Sequence, residues 1–197
     1  MMPSAHSFCH GVRLGVLALA LSAASAWADE YASVNALLRS GQLGEAMAKA
    51  NQYLAANPRD PQMRFLKGLI QQDAGKPAEA IATYTGLIED YPELPEPYNN
   101  VAVLYAGQGQ FDKARAALEM ATRTSRSYAV AHENLGDVYA RLASQSYSLA
   151  LQFDGANTGI APKLALIRQL FGPPMQSRNV STPGAAKPSA APAPAGK

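Results

Sequence analysis

The chain has 197 residues, with 17 basic and 15 acidic side chains and a formal net charge of +2. No basic stripe interleaved with aromatic residues accompanies this near-neutral charge, which argues against nucleic-acid binding. The single cysteine, Cys9, precedes an apolar run near the N-terminus. A mature chain that begins after this run therefore has no disulfide, thiol nucleophile or thiolate metal site.

Residues 1–28 have the features of a secretory signal peptide. Arg13 precedes an apolar run over 14–24, and Ala-Trp-Ala at 26–28 supplies a small-x-small cleavage site before Asp29. The alternative is an uncleaved membrane anchor, but the run is short against the roughly 20 residues that a membrane span needs. The sequence therefore predicts a periplasmic or secreted protein that has no membrane span after signal cleavage.

The chain repeats with a period of 34 residues from residue 27 to residue 162. Four turn positions recur at this interval, and a small residue follows each turn by five positions: Gly41, Gly75, Gly109 and Ala143, then Ala46, Ala80, Ala114 and Ser148. The four units run over 27–60, 61–94, 95–128 and 129–162. Small residues at the eighth and twentieth positions let two helices of one unit approach closely, and a lone unit cannot bury its apolar face, so units must stack.

This pattern resembles the tetratricopeptide repeat. The third unit matches best, through Tyr98, Ala102, Gly109 and Ala114 among others, whereas the second half of the fourth unit is degenerate because Gln152 and Gly155 occupy helix-packing positions. The resemblance implies an all-α fold, in which helix-turn-helix repeats form a right-handed superhelix with a concave groove.

Two further segments follow the repeats. Ile160, Leu164 and Phe171 recur at helical spacing, which predicts a C-terminal capping helix over about 160–171 that completes a domain of residues 29–172. An ordinary fifth repeat helix is the alternative. Residues 173–197 are rich in Pro, Ala, Ser and Gly and are predicted to form a disordered tail.

Charge is distributed unevenly along the chain. Residues 29–154 contain 15 acidic and 11 basic side chains, a net of −4, whereas residues 155–197 contain five basic side chains and no acidic one. The basic tail has the charge for a weak contact with an anionic envelope surface.

No set of residues suggests catalysis, a cofactor or a metal site. His132 is the only histidine after the signal, and it occupies the fourth position of its unit, where an aromatic residue packs between helices. We therefore interpret it as a packing residue. Glu133 and Asp137 are four residues apart on one helix, but two carboxylates make a poor cation site. The sequence predicts a protein that is not an enzyme.

The resemblance implies a binding groove lined by the first helix of each unit. The corresponding residues are Phe65, Leu69 and Gln72 in the second unit, Asn99, Asn100 and Val103 in the third, and Glu133, Asn134, Asp137 and Arg141 in the fourth. Asn100 and Asn134 share one column, and their amides are expected to face solvent and to hydrogen-bond an extended peptide. Asparagine is also common in this column in repeats of every function, which leaves a generic role open. Arg141 is the only basic candidate in the last two units, so the carboxylate clamp of chaperone-binding members is not expected.

A narrower resemblance covers residues 91–151, which are similar to the short exported tetratricopeptide proteins of proteobacteria. This resemblance implies a periplasmic address and a part in cell-envelope assembly. Our hypothesis is an exported scaffold that binds a partner protein or peptide in its groove. The alternatives are a self-associating structural protein and an accessory factor of a cell-wall or protein-folding enzyme.

Overall fold

The computed structural model describes residues 30–171, and within them all regular secondary structure is α-helical. The helices in chain order are α1 (30–39), α2 (Leu43–Ala56), α3 (Pro61–Asp73), α4 (Pro77–Asp90), α5 (Pro95–Gly107), α6 (Phe111–Thr124), α7 (Ala129–Phe153) and α8 (Ile160–Leu170). The predicted signal peptide and the predicted tail lie outside the described residues. None of the helices between residues 30 and 171 has the length and apolar content to span a membrane.

The chain divides into two compact units, Met1–Gln145 and Ser146–Lys197. Their boundary therefore falls inside α7. The described part of the first unit contains α1 to α6 and the first part of α7, in which consecutive helices pack against one another. The described part of the second unit contains the end of α7 and the whole of α8.

Three of the four predicted turns have one shared geometry. Gly41, Gly75 and Gly109 have φ angles of 73°, 70° and 72°, and no other described residue has a positive φ. After α1, the N–H of Gly41 donates to the carbonyl of Leu38 and the N–H of Gln42 donates to that of Leu37. The same pair of bonds recurs after α3 and α5. This is the Schellman motif, which needs a left-handed residue and therefore favours glycine.

The fourth predicted turn is absent. Ala143 lies within α7, which continues as one helix over Ala129–Phe153. A left-handed conformation is costly for a residue with a Cβ, so Ala143 continues the helix where glycine would end it. The fourth unit therefore departs from the helix-turn-helix pattern that the sequence predicted for 129–162.

The predicted small residues lie at the helix crossings. Ala46, Ala80 and Ala114, at the twentieth position of their units, are fully buried, as is Ala102 at an eighth position. They belong to three apolar clusters, which centre on α1 to α3, on α4 with Val101 of α5, and on α5 to α7. Each cluster joins helices of different repeats, so the repeats are stabilised by stacking.

A polar contact joins the first three helices. The hydroxyl of Tyr31 donates to Asp60 Oδ2 over 2.5 Å and lies 3.1 Å from the hydroxyl of Tyr53, and Asp60 Oδ1 accepts the N–H of Met63 at the start of α3. Burial and the hydrogen bond to Asp60 raise the pKa of Tyr31 well above its ordinary value. The hydroxyl therefore remains a neutral donor to the residue that caps α3.

The second unit has two buried apolar residues and a contact between a cation and an aromatic ring. Ile160 and Leu164 are its buried residues on α8, and Lys163 Nζ lies 5.7 Å from the centroid of the Tyr147 ring. Helix α8 begins at Ile160, within the segment predicted to be helical. Its predicted role as a cap of the repeats stays a prediction.

Candidate functional site

The predicted groove residues lie on α3, α5 and the first part of α7, which are the first helices of successive repeats. We call the side of these helices that carries the second, fifth, sixth, ninth, twelfth and thirteenth positions of each repeat the first-helix face. Its centre is a continuous series of hydrogen bonds, which we call the amide ladder: Asn134, Asn99, Asn100 and Tyr84. It connects helices of three consecutive repeats.

Each step of the amide ladder is a side-chain hydrogen bond. Asn134 Nδ2 donates to Asn99 Oδ1 over 2.8 Å, Asn99 Nδ2 donates to Asn100 Oδ1 over 3.3 Å, and Asn100 Nδ2 donates to the hydroxyl oxygen of Tyr84 over 3.2 Å. Asn99 is only 4% exposed, so its amide depends on these partners. The ladder therefore fixes the direction in which the outer amides point.

The prediction that Asn100 and Asn134 face solvent was wrong in part. Both side chains are half-buried, and each amide nitrogen donates within the protein. An amide has two N–H groups and a carbonyl with two lone pairs, so each asparagine keeps capacity beyond its ladder bonds. In particular, no hydrogen bond within residues 30–171 uses the side-chain carbonyl oxygen of Asn134, Oδ1. The half-exposed amides can therefore still bond a ligand.

Tyr84, on α4, anchors one end of the ladder. Its side chain is fully buried, and its ring lies 5.6 Å from that of Phe65, centroid to centroid. Gly68 faces the same ring so closely that a Cβ there would lie 2.5 Å from Tyr84 Cε1. Burial raises the pKa of Tyr84 to about 12, while the hydrogen bond from Asn100 lowers it and the charge of Asp73 raises it. The phenol is therefore neutral at physiological pH.

An apolar cleft lies beside Phe65, where the second and third repeats meet. It has a volume of about 230 Å³ and is lined by Pro61, Gln62, Phe65, Leu94, Glu96 and Pro97. We call it the α3–α5 cleft. The sequence predicted Phe65 here but not Pro61, Leu94 or Pro97, which occupy the first, last and third positions of their repeats. Their proximity follows from stacking, and the prolines in the first turns of α3 and α5 were the available signal in the sequence.

The other predicted residues of α3 and α5 differ in accessibility. Leu69 is half-buried and packs against the cluster of α1 to α3, so it contributes mainly to the core. Gln72 is also half-buried, and its buried Oε1 has no hydrogen-bond partner among the described residues. Val103 is 41% exposed and gives the first-helix face an accessible apolar residue beside the ladder.

Helix α7 places charged side chains next to the ladder. Glu133, Asp137 and Arg141 are all exposed. The ion pairs formed within residues 30–171 involve neither Glu133 nor Asp137. The two carboxylates are therefore available to a cationic ligand.

His132 lies outside any packing position. Its side chain is exposed, and its Nε2 lies 3.1 Å from the carbonyl oxygen of Arg126, so the prediction that it packs between helices was wrong. The reason is that α7 continues past Ala143, so the predicted second helix of this repeat does not form. Within residues 30–171, no three His, Cys, Asp or Glu side chains are grouped so that they could hold a metal ion.

Comparison with known proteins agrees with this architecture. Two sequence models of the tetratricopeptide repeat match residues 31–95 and 71–142, which together make up more than half of the chain. The tetratricopeptide repeat domain-containing protein PYG7, chloroplastic, of Arabidopsis thaliana is 30% identical over 127 residues. That match covers 62% of this chain but only 36% of PYG7.

Two solved structures show the same fold. The thermophilic tetratricopeptide protein TTC0263 of Thermus thermophilus superposes with a TM-score of 0.54 at 22% identity, over 73% of this chain and 82% of that one. The second tetratricopeptide domain of human RPAP3, in complex with the HSP70 peptide SGPTIEEVD, superposes with a TM-score of 0.51 at 14% identity, over 56% and 92%. With its repeated glycine turns, small-residue crossings and matching sequence models, the chain belongs to the tetratricopeptide repeat family.

Proposed function

We propose that this protein is an exported scaffold, with no catalytic activity of its own, that binds an extended segment of a partner protein on its first-helix face. The observation that carries the proposal is the amide ladder. It holds the half-exposed amides of Asn100 and Asn134 in fixed orientations beside the accessible side chain of Val103. An extended peptide has unpaired backbone N–H and C=O groups, which oriented amides can bond.

The solved RPAP3 domain with its HSP70 peptide supports the proposal by analogy, since it is a tetratricopeptide domain in complex with a short peptide. Preorganisation adds a physical argument. A side chain that is already held by internal hydrogen bonds loses less rotational freedom when a ligand binds, and that entropy is a major cost of association. Residues 1–28 support the exported location, and the resemblance to exported proteobacterial proteins supports a part in cell-envelope assembly.

The first experiment measures partner capture from envelope extract by the full chain and by Val103→Lys. Lysine at this exposed position adds a charge to the first-helix face without creating a cavity. The matched control is Met120→Lys on the second helix of the same repeat, since Met120 is 39% exposed and Val103 is 41% exposed. We expect Val103→Lys to lose a partner that Met120→Lys retains. Equal capture by both variants would refute a binding role for this face.

Two further measurements test the rest of the proposal. Cell fractionation and N-terminal sequencing should find a mature protein that begins near Asp29 outside the cytoplasm, and an intact N-terminus in the cytoplasm would refute export. Light scattering separates a monomeric scaffold from a self-associating structural protein, because only the latter gains mass with concentration. An accessory factor would instead raise the rate of a wall or folding enzyme when the two are mixed.

A further inference from the structure

We infer that the first-helix face selects a cationic peptide segment that carries a large apolar side chain. The apolar side chain would occupy the α3–α5 cleft, and the cationic groups would lie along the carboxylates of α5 and α7. The inference rests on the proposed function and adds the chemical class of the ligand.

The α3–α5 cleft sets the apolar part of the ligand. Its volume of about 230 Å³ is several times that of one water molecule, which occupies roughly 30 Å³ in the liquid. Pro61, Phe65, Leu94 and Pro97 give it apolar walls, and the tilted contact of Phe65 with the buried Tyr84 holds one wall in place. A Leu, Met or Phe side chain suits such a site, because burying it removes apolar surface from water.

Glu96 adds a negative charge to the lining of this cleft. No ion pair within residues 30–171 involves its carboxylate. It acts on Tyr128, where burial and the Glu96 charge together raise the pKa of the phenol. A ligand whose apolar side chain enters the cleft therefore brings its neighbouring residues close to an available carboxylate.

The negative charge extends along the first-helix face. Its acidic positions are Asp73, Glu96, Glu133 and Asp137, and its basic position is Arg141. Residues 29–154, which contain this face, carry a net charge of −4, so the field near the face favours a cation, whereas the basic residues that bring the whole chain to +2 lie in residues 155–197 and at Arg13. Charge complementarity of this kind selects the partner and speeds encounter more than it raises affinity.

The acidic side chains of the first-helix face disfavour an acidic peptide. The peptide in the RPAP3 complex, SGPTIEEVD, carries three acidic side chains. Any acidic peptide on the first-helix face would bring its carboxylates close to those of Glu96, Glu133 and Asp137, and like charges in proximity are repulsive.

The test uses the full chain and three fluorescent peptides. Ac-GSLKGKSG has an apolar and two cationic side chains, Ac-GSLEGESG reverses the charges, and Ac-GSAKGKSG removes the apolar side chain. Fluorescence anisotropy at low salt should rank the first peptide tightest, by about tenfold over the third, because burial of one leucine is worth roughly that factor or more. Equal or tighter binding of the acidic peptide would overturn the inference.

Variants connect the preference to particular residues. Glu96→Gln with Glu133→Gln should weaken the lysine peptide by about three- to tenfold, since each exposed ion pair contributes little. Glu45→Gln is the control, because Glu45 is an exposed carboxylate on α2, the second helix of its repeat, and is not part of the first-helix face. An equal effect of the control would overturn the assignment to the first-helix face.

Two outcomes separate this inference from the proposed function. If only the acidic peptide binds and Val103→Lys abolishes that binding, the peptide-binding function stands and the charge assignment fails. If neither peptide binds and partner capture is insensitive to Val103→Lys, both the inference and the proposed function fail.

The alternative occupant of the first-helix face is the basic tail of the chain itself. A full chain with Arg178→Gln and Lys187→Gln that bound the lysine peptide tenfold tighter than the parent would identify the tail as the occupant and overturn the assignment to a partner.

Discussion

Gly68→Ala and Gly136→Ala are the same substitution at the eighth position of two different repeats, and they should change stability in opposite directions. A Cβ at Gly68 would lie 2.5 Å from Cε1 and 2.6 Å from Cζ of Tyr84. A Cβ at Gly136 would meet no atom within 4 Å. Both glycines lie inside helices, so the intrinsic effect of the substitution on the helix is the same at both sites.

The magnitude follows from two opposing contributions. Alanine is more favourable than glycine inside a helix by roughly 1 kcal/mol, whereas overfilling a packed core costs about 1–3 kcal/mol. The Tyr84 side chain is fully buried, so its ring is enclosed on all sides, and its hydroxyl oxygen accepts a hydrogen bond from Asn100. We therefore expect Gly68→Ala to lose about 1–2 kcal/mol net, and Gly136→Ala to gain about 0.5–1 kcal/mol.

Thermal unfolding followed by circular dichroism at 222 nm measures both variants. The expected changes are a fall in Tm of about 3–8 °C for Gly68→Ala and a rise of about 2–4 °C for Gly136→Ala. In a Tyr84→Leu background the ring atoms that clash are absent, so Gly68→Ala should no longer be destabilising. Stabilisation by Gly68→Ala in the parent chain would show that close packing of Gly68 on Tyr84 does not constrain the fold.

Three further predictions concern the polar groups. The pKa of Tyr84 is raised to about 12 from an ordinary 10, so the contribution of its neutral phenol to stability is complete below pH 10 and is lost as the pH rises from 10 to 12, at up to about 1.4 kcal/mol per pH unit. Tyr84→Phe should therefore reduce the fall of the urea midpoint with pH over that range. An unchanged dependence of the midpoint on pH would contradict the assignment. Asn99→Ala should lower the free energy of unfolding by about 1–3 kcal/mol, because it removes the partner of two amides, and a urea midpoint equal to that of the parent would show that the amide ladder is not stabilising. Gln72→Met should raise the free energy of unfolding by about 1 kcal/mol, because it removes a buried acceptor that lacks a partner, and a calorimetric Tm below that of the parent would contradict this.

The turns show how far the repeat period alone predicts the fold. Gly41, Gly75 and Gly109 recur at the predicted interval, and each adopts the left-handed conformation that its turn requires. Ala143 has the correct interval but the wrong chemistry. Glycine and alanine are both small enough for a helix crossing. A Schellman turn, however, needs a residue with a positive φ, which is costly for alanine and not for glycine. That distinction was present in the sequence and predicts the continuous α7.

The repeat register predicted which positions lie at the site, but it did not predict which side chains form hydrogen bonds there. The repeat register places Asn100 and Asn134 at equivalent positions, yet the ladder bond of Asn134 goes to Asn99, one column away. Which amide atoms meet depends on the relative placement of neighbouring helices to within an ångström, and side-chain identity does not determine that. The α3–α5 cleft was missed for a similar reason, since its walls come from the end of one repeat and the start of the next.

The packing columns and the binding columns of this repeat are coupled through Tyr84. This side chain fills the space that Gly68 leaves open on one side, and on the other its hydroxyl accepts the amide of Asn100 on the first-helix face. A change at Gly68 that displaces the ring therefore also displaces the hydroxyl, and Asn100 loses the partner that orients it. Gly68→Ala should thus weaken peptide binding even at temperatures where the protein remains fully folded, whereas Gly136→Ala should leave that affinity unchanged.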